Sequence, residues 1–478
     1  MTADSTSGGH RGTAARVLRN ASLLTAATIG TRLAMFALGV VLARELGPES
    51  YGRYGIALAL AVVLVPVADA GLTPYVTREV ARNRETGEAV LRAALRAKLL
   101  LSGLIFAGVG AVSVAVAAGE LLAALLLVTL SQLLDGVSAF VYGYFRGREW
   151  MGVEARLTTA ASFARSLGGI TLVLLTGTLA PALVWLAVVA LLQVGWSLRR
   201  LVWALGAPAG RAVVDWRTAV TMGAIAIFVM VYGRADAVLV GWLVGEAAAG
   251  LYTAAYTLLL GLQILPWMIA VALGPVFVRA HATDADLLRR SWSEGLRAIL
   301  VLSLPLALAP ALLADGLLEL LFGSDYEEAA TALAILVWST PLAALGAVLT
   351  GVLRAGGRER ALLVVAAGAA AGNIGANLAL IPRYGIEAAA AVTIATEVVG
   401  LAAMCAVAVR SGLVPAPRLP LLRLAAALTA LTAVAVAGVP GGVAATGVAA
   451  GAAYAAVLVA TRVVGPRELA LLREARRR

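Results

Sequence analysis

Three arginines, Arg32, Arg165 and Arg234, fall inside stretches apolar enough to cross a bilayer. A cation near the centre of a bilayer is disfavoured by about 2.5 to 3.5 kcal/mol even on the lenient insertion scale, so each should face protein, water or a counter-charge. Residues at helical steps agree with this. Arg32 shares a stripe with Thr25, Thr28 and Gly39, and Arg165 shares one with Thr158, Ser162 and Gly169. A guanidinium presents its N–H donors in a planar fork that matches phosphate oxygens, so arginines lining a dry cavity suit a phosphate-bearing ligand. The plainer reading is that each snorkels or pairs structurally, and Arg234 beside Asp236 is the clearest such case. The intramembrane acids Asp69, Asp135, Asp236 and Glu397 are candidates to neutralise these arginines or to take up H+ or Na+. Asn373 and Asn377, one helical turn apart, could bind sugar hydroxyls or bond between helices. Cys405 is the only cysteine and lies in an apolar stretch, while His10 and His281 lie outside the spans, so no metal site is expected.

The elements that must position these groups are membrane helices. The 478 residues are 61% apolar and only 14% charged, with mean hydropathy +0.92, too apolar to present a watery surface. The net charge of +11 would fit nucleic acid if clustered on one face, but the basic residues are spread through short loops between apolar spans. The expected class is an all-α polytopic membrane protein. Fourteen spans are expected, at about 22–43, 54–76, 97–118, 121–144, 153–177, 181–203, 218–243, 249–278, 295–314, 329–353, 361–381, 386–409, 421–439 and 442–464.

Alternate loops hold nearly all the basic residues, among them Arg78 to Lys98, Arg146 to Arg156, Arg279 to Arg297 and Arg354 to Arg360, which places both termini in the cytoplasm. Gly47 to Gly52 and the acidic loop 315–328 then face out. The spacing Gly47-x4-Gly52-x-Tyr54 returns as Gly245-x4-Gly250-x-Tyr252, each time after an arginine-bearing span. Gly143 to Glu149 after span 4 is echoed by Gly351 to Glu359 after span 10, and Pro66 by Pro266. Each repeat has six spans, and an even number makes the two halves parallel. The expected divisions are a disordered tail at 1–16, an N-lobe at 17–205, a C-lobe at 206–411, two further helices within 412–464 and a basic tail at 465–478. A P-loop needs a Gly-Lys pair, and the single lysine, Lys98, follows Ala97, so ATP hydrolysis by that route is excluded. Asp284-Ala-Asp286 reads as a helix start rather than a metal-binding glycosyltransferase signature.

Taken together, Ala43 to Gly52, Asp69-Ala-Gly-Leu72 with Arg78-Glu79, Gly250 to Tyr256, Leu321 to Tyr326 and Leu380 to Gly385 resemble the polysaccharide biosynthesis family of lipid-linked oligosaccharide flippases, of O-antigen and exopolysaccharide type. That family lies within the multidrug/oligosaccharidyl-lipid/polysaccharide (MOP) exporter superfamily. The resemblance covers nearly the whole chain, and Glu387-Ala388 departs from it where a small residue and a glycine are common. It implies two six-helix, MATE-like lobes, a central cavity that opens alternately to each face, and undecaprenyl-diphosphate-linked glycan as substrate; for such a ligand the intramembrane arginines Arg32, Arg165 and Arg234 are expected to line the cavity. With the residue pattern, it leads to the expectation of a non-enzymatic protein of the cytoplasmic membrane, without a cofactor beyond H+ or Na+ coupling, with membrane lipids, polysaccharide polymerases and glycosyltransferases as partners and neither nucleic acid nor ATP. A multidrug cation exporter would be expected to carry an acid in span 1, where this chain has Arg32. A membrane polymerase or ligase would need larger outward loops, and a peptidoglycan lipid-precursor flippase stays open within the superfamily.

Overall fold

The computed structural model describes residues 7–205, 212–266, 268–269, 285–414, 421–461 and 463. His281, Asp284 and the basic tail 465–478 lie outside the described residues, as do the side chains of Thr25 and Thr28. The fold is helical throughout, with fifteen α-helices among the described residues. By contact clustering it divides into residues 1–250 and residues 251–478.

In the first unit α1 (Ser7–Asp69) is two helices joined across Gly47, which adopts φ 74°, a backbone region that L side chains rarely enter. The apolar part alone runs 41 residues, Ile29–Asp69, or roughly 60 Å at helical rise, twice a bilayer core of about 30 Å. Two crossings therefore share this element. α1 starts at Ser7, inside the segment expected as a tail. It ends at Asp69, short of the 54–76 expected for the second span, because Ala70 and Gly71 both take positive φ. Beyond that break lies a separate amphipathic helix, α2 (Leu72–Arg82), whose buried face is Leu72, Tyr75, Val76 and Val80. The next helix, α3 (Arg84–Val116), begins thirteen residues before its expected start at 97, capped by the Asn83 side chain on the Thr86 N–H. Leu100, Leu104, Val112 and Val116 are exposed along it, as lipid-facing positions are.

Then come α4 (Gly119–Gly147), α5 (Met151–Thr176), α6 (Leu179–Ala204) and α7 (Trp216–Leu243). α1 packs against α4, α5 and α7, and α4 against α6. Asp215 caps α7, accepting from the Thr218 N–H at 3.2 Å and the Thr218 hydroxyl at 2.6 Å, and these bonds hold its carboxyl below the usual carboxylate range. A core cluster joins side chains of α2, α3 and α4, including Leu91, Phe140, Tyr144 and Phe145, with Leu201 of α6 and Ala219 of α7.

α8 (Glu246–Leu262) opens with the second copy of the glycine motif. The two copies meet. A Cβ on Gly52 would lie 1.8 Å from the Glu246 carbonyl oxygen, and one on Gly250 would lie 1.8 Å from that of Pro48. Each repeat's glycine thus admits the other's backbone, a physical reason for the recurrence.

The second unit holds α9 (Ala285–Leu312), α10 (Ala314–Phe322), a 3-10 turn (Ser324–Ala329), α11 (Ala330–Leu336), α12 (Ser339–Ala355), α13 (Glu359–Arg410), α14 (Leu421–Ala437) and α15 (Gly442–Ala460). α13 spans 52 residues but breaks at Gly385, φ 61°. Asn373 bonds to Thr396 at 3.2 Å, although 23 residues of straight helix would part them by roughly 34 Å, so the chain doubles back at this glycine. α14 and α15 pack through Leu424, Leu431, Tyr454 and Leu458, and the Tyr454 hydroxyl donates to the Val301 carbonyl of α9 at 3.0 Å.

Among the described residues ten helices are long and apolar enough to cross a membrane, against fourteen expected spans. Two of the ten, Ile29–Asp69 and Glu359–Arg410, each hold two expected spans, and those expected near α8 and α14 fall on helices of 17 residues.

Replacing both Gly52 and Gly250 with alanine should lower the apparent Tm in detergent, since overpacking of this kind costs about 1 to 3 kcal/mol. Gly372→Ala, where a Cβ would meet nothing within 4 Å, should leave it unchanged. Equal behaviour of the two variants would remove the contact from the account.

Candidate functional site

Arg165 projects from α5 toward α4 and α6. It pairs with Asp135 of α4, and the same terminal nitrogen donates to the Gln193 Oε1 of α6 at 2.6 Å. Gln193 passes the network on, its amide donating to the Tyr142 hydroxyl at 3.1 Å. The side chains of Arg165 and Asp135 are only 11% and 23% exposed, so the charges meet largely out of solvent. The Arg165 Nε–H is buried and has no acceptor among the described residues.

Local packing fixes this geometry. The Trp185 indole of α6 donates to the Ala164 carbonyl at 2.8 Å, fitting against Gly168, where a Cβ would lie 2.1 Å from the indole nitrogen. On the same face of α5, Ser162 is buried and Gly169 admits Leu38 of α1. The stripe through Arg165 therefore meets protein, as its residue types require.

The other candidate residues are more dispersed. Arg32 is half-buried on α1 and Arg234 half-buried on α7, while Asp236 is fully buried and accepts from the Ala237 N–H at 2.8 Å. Tyr54 lies within electrostatic reach of both Arg165 and Arg234. Asp69 accepts from the buried Lys98 at 3.1 Å, from the Thr73 hydroxyl at 2.5 Å and from the Thr73 N–H at 3.1 Å. It thus answers a cation and supplies an acceptor in the first turn of α2. In the second unit, Asn377 donates to Asn373 at 2.9 Å and Asn373 to Thr396, both asparagines being fully buried between the limbs of α13. The Asn377 Oδ1 has no donor among the described residues. The neighbouring Glu397 accepts from Ser339 at 2.6 Å, and Ser339 accepts from Gln263 at 3.3 Å. Of the expected residues, the structure brings together Arg165 with Asp135 and Asn373 with Asn377.

Two charged groups were placed in loops by the sequence. Lys98, counted with the basic loop at the very edge of the expected span 97–118, lies well inside a candidate span of α3 with 1% exposure. The buried stripe Val90, Leu91, Ala94 continues to it at helical spacing, a signal the sequence carried. Arg53, expected in an outward turn, is ringed by Glu49, by Glu120 at 2.7 Å and by Glu246 at 2.5 Å. It thereby links the break in α1 to the starts of α4 and α8, beside the Gly52–Gly250 contact.

The sequence model of the polysaccharide biosynthesis protein family matches residues 17–281, more than half of the chain. The chain belongs to that family. The MatE model matches residues 222–381. No curated protein matches. Among solved structures, the chain is similar to the lipid II flippase MurJ in an inward closed conformation, with TM-score 0.74 and 13% identity over 92% of this chain and 99% of that one. It is also similar to an inward-facing multidrug resistance MATE family transporter of the MOP superfamily, with TM-score 0.64 and 13% identity over 80% and 94% of the two chains. A third likeness is to a MOP superfamily transporter from Pyrococcus furiosus, described as having reversed polarity in its binding pocket, with TM-score 0.56 and 14% identity over 83% and 94%. At these identities the likeness shows the fold. The family member described here is thus a multi-pass membrane protein of MATE-like fold.

Asp135→Asn should destabilise the fold by about 3 to 5 kcal/mol, because it leaves the Arg165 cation buried without its counter-charge. Adding Arg165→Gln should recover part of that loss, read as thermal unfolding in detergent. Strictly additive losses would show that the two groups are not coupled.

Proposed function

We propose that this chain flips an undecaprenyl-diphosphate-linked oligosaccharide from the cytoplasmic to the outer leaflet of the cell membrane by alternating access, with both termini in the cytoplasm. The observation that carries the reading is the largely buried guanidinium of Arg165, which spends one terminal nitrogen on Asp135 and Gln193 and keeps its buried Nε–H without an acceptor among the described residues. A diphosphate competes with a carboxylate for such a group, because both accept charge-assisted bonds from the same fork. Protonation of Asp135 would release Arg165 to the ligand, and return of the ligand's charge to water would restore the pair.

Arg32 and Arg234 would supply further positive charge, and Asn373 and Asn377 would hold sugar hydroxyls only if the limbs of α13 part. No nucleotide-binding motif stands in the sequence, so the driving force would be an H+ or Na+ gradient, or removal of the glycan outside. Asp69, Asp135, Asp236 and Glu397 are the groups that could couple to an ion. Polysaccharide polymerases and glycosyltransferases would be the functional partners. A second reading, a peptidoglycan lipid-precursor flippase, is favoured by the likeness to MurJ over nearly the full length of both chains. A multidrug cation exporter fits less well, since arginines in the spans repel its cargo.

The test measures surface glycan and resistance to lipophilic cations in the same Arg32→Ala and Arg165→Ala strains, with membrane abundance checked. Losing one arginine should remove about 1.5 to 3 kcal/mol of interaction with a charged group and slow glycan export at least roughly tenfold. Arg165→Lys should rescue only in part, since it keeps the charge and loses the fork. Intact glycan export with lost drug resistance would overturn the assignment.

A further inference from the structure

α6 carries a second feature on the face opposite its network residues. Leu191, Leu192, Gly195 and Trp196 are followed at the same helical spacing by Arg199, Arg200 and Trp203, and together they form one side of an open groove. The stripe cannot rotate inward. Gln193 is committed to Arg165 and Tyr142, Ser197 is buried, and Leu201 belongs to the core, so this face is turned away from the unit.

Its chemistry is divided along the helix. The first half is apolar and is dented at Gly195, where a Cβ would meet nothing within 4 Å. The second half has two exposed guanidiniums and the exposed indole of Trp203. Among the described residues neither Arg199 nor Arg200 has a carboxylate partner, whereas Arg53, Lys98, Arg146 and Arg165 each have one. Two unanswered cations at the end of a helix long and apolar enough to cross a membrane, flanked by tryptophans, match an anionic headgroup above its own acyl chains.

We propose that the α6 groove binds an anionic phospholipid, its phosphodiester on Arg199 and Arg200, its acyl chain along Leu191, Leu192 and Gly195, and its glycerol level against Trp203. A zwitterionic lipid fits less well because it brings its own ammonium to a site that already holds two cations. A soluble phosphate would leave the apolar half unused. This inference does not depend on the identity of the glycan.

The experiment uses the full chain in detergent, with phosphatidylglycerol, phosphatidylcholine and undecaprenyl diphosphate titrated separately and bound lipid counted by native mass spectrometry. Phosphatidylglycerol should be retained in preference to phosphatidylcholine. Arg199→Gln with Arg200→Gln should weaken that retention about tenfold or more. The paired lysine variant should keep most of it, and a control pair, Arg96→Gln with Arg410→Gln, should leave it unchanged. Equal retention of the two phospholipids would overturn the proposal, as would an equal loss in the control pair. Capture of undecaprenyl diphosphate alone at Arg199 and Arg200 would overturn it in favour of a substrate-docking site.

Discussion

Arg165 can keep its charge within the membrane because Asp135 and Gln193 face it from two neighbouring helices. The energetic scale explains why so much of the first unit is arranged around this contact. A lone cation near the bilayer centre is disfavoured by about 2.5 to 3.5 kcal/mol or more, and a buried pair that loses one partner is weakened by about 3 to 5 kcal/mol. Holding the three groups in register requires α4, α5 and α6 to approach closely, and the Trp185 bond over Gly168 and the Gly169 contact with Leu38 are how they do so. The same requirement recurs at Lys98, which is buried on α3 and answered by Asp69 at the end of α1. Both pairs combine stability with a means of change, because an anion or a proton acting on either partner alters the balance of charge that the helices were built to hold.

The contact between the two glycine motifs is of a different kind. Here no charge has to be neutralised in lipid, and backbone meets backbone because Gly52 and Gly250 lack a Cβ. Arg53 then ties the surrounding helix ends through three carboxylates. The Arg53 side chain is 22% exposed and each partner more so, and pairs that water still reaches are individually worth about 0 to 1 kcal/mol, so the ring around Arg53 aligns these helix ends more than it anchors them.

Much of this was legible in the sequence, and for identifiable reasons. Helical class follows from apolar runs of membrane-spanning length, and the importance of Arg165 follows from a cation placed where none is tolerated without a partner. The recurrence of Gly47-x4-Gly52 points to repeated structure, but spacing along the chain does not say that the two copies touch. Other features were hidden because their partners are distant in the chain. Arg53 meets Glu246 across 193 positions, and nothing local to Arg53 announces it. Lys98 was read as a loop cation because hydropathy places span ends poorly when a helix continues past its apolar part, as α3 does toward Arg84. The end of α1 at Asp69 was missed for a related reason. Val76 and Val80 extend the apolar run into α2, and the positive φ at Ala70 and Gly71 leaves only the glycine as a trace.

The most direct test of the central claim is leaflet transfer of an undecaprenyl-diphosphate disaccharide in proteoliposomes containing only this chain, with an Arg165→Ala preparation and empty vesicles alongside. The account predicts transfer that the protein accelerates, that falls at least roughly tenfold in Arg165→Ala, and that does not require ATP. Transfer no faster than in empty vesicles, with verified folded protein and an imposed ion gradient, would contradict it.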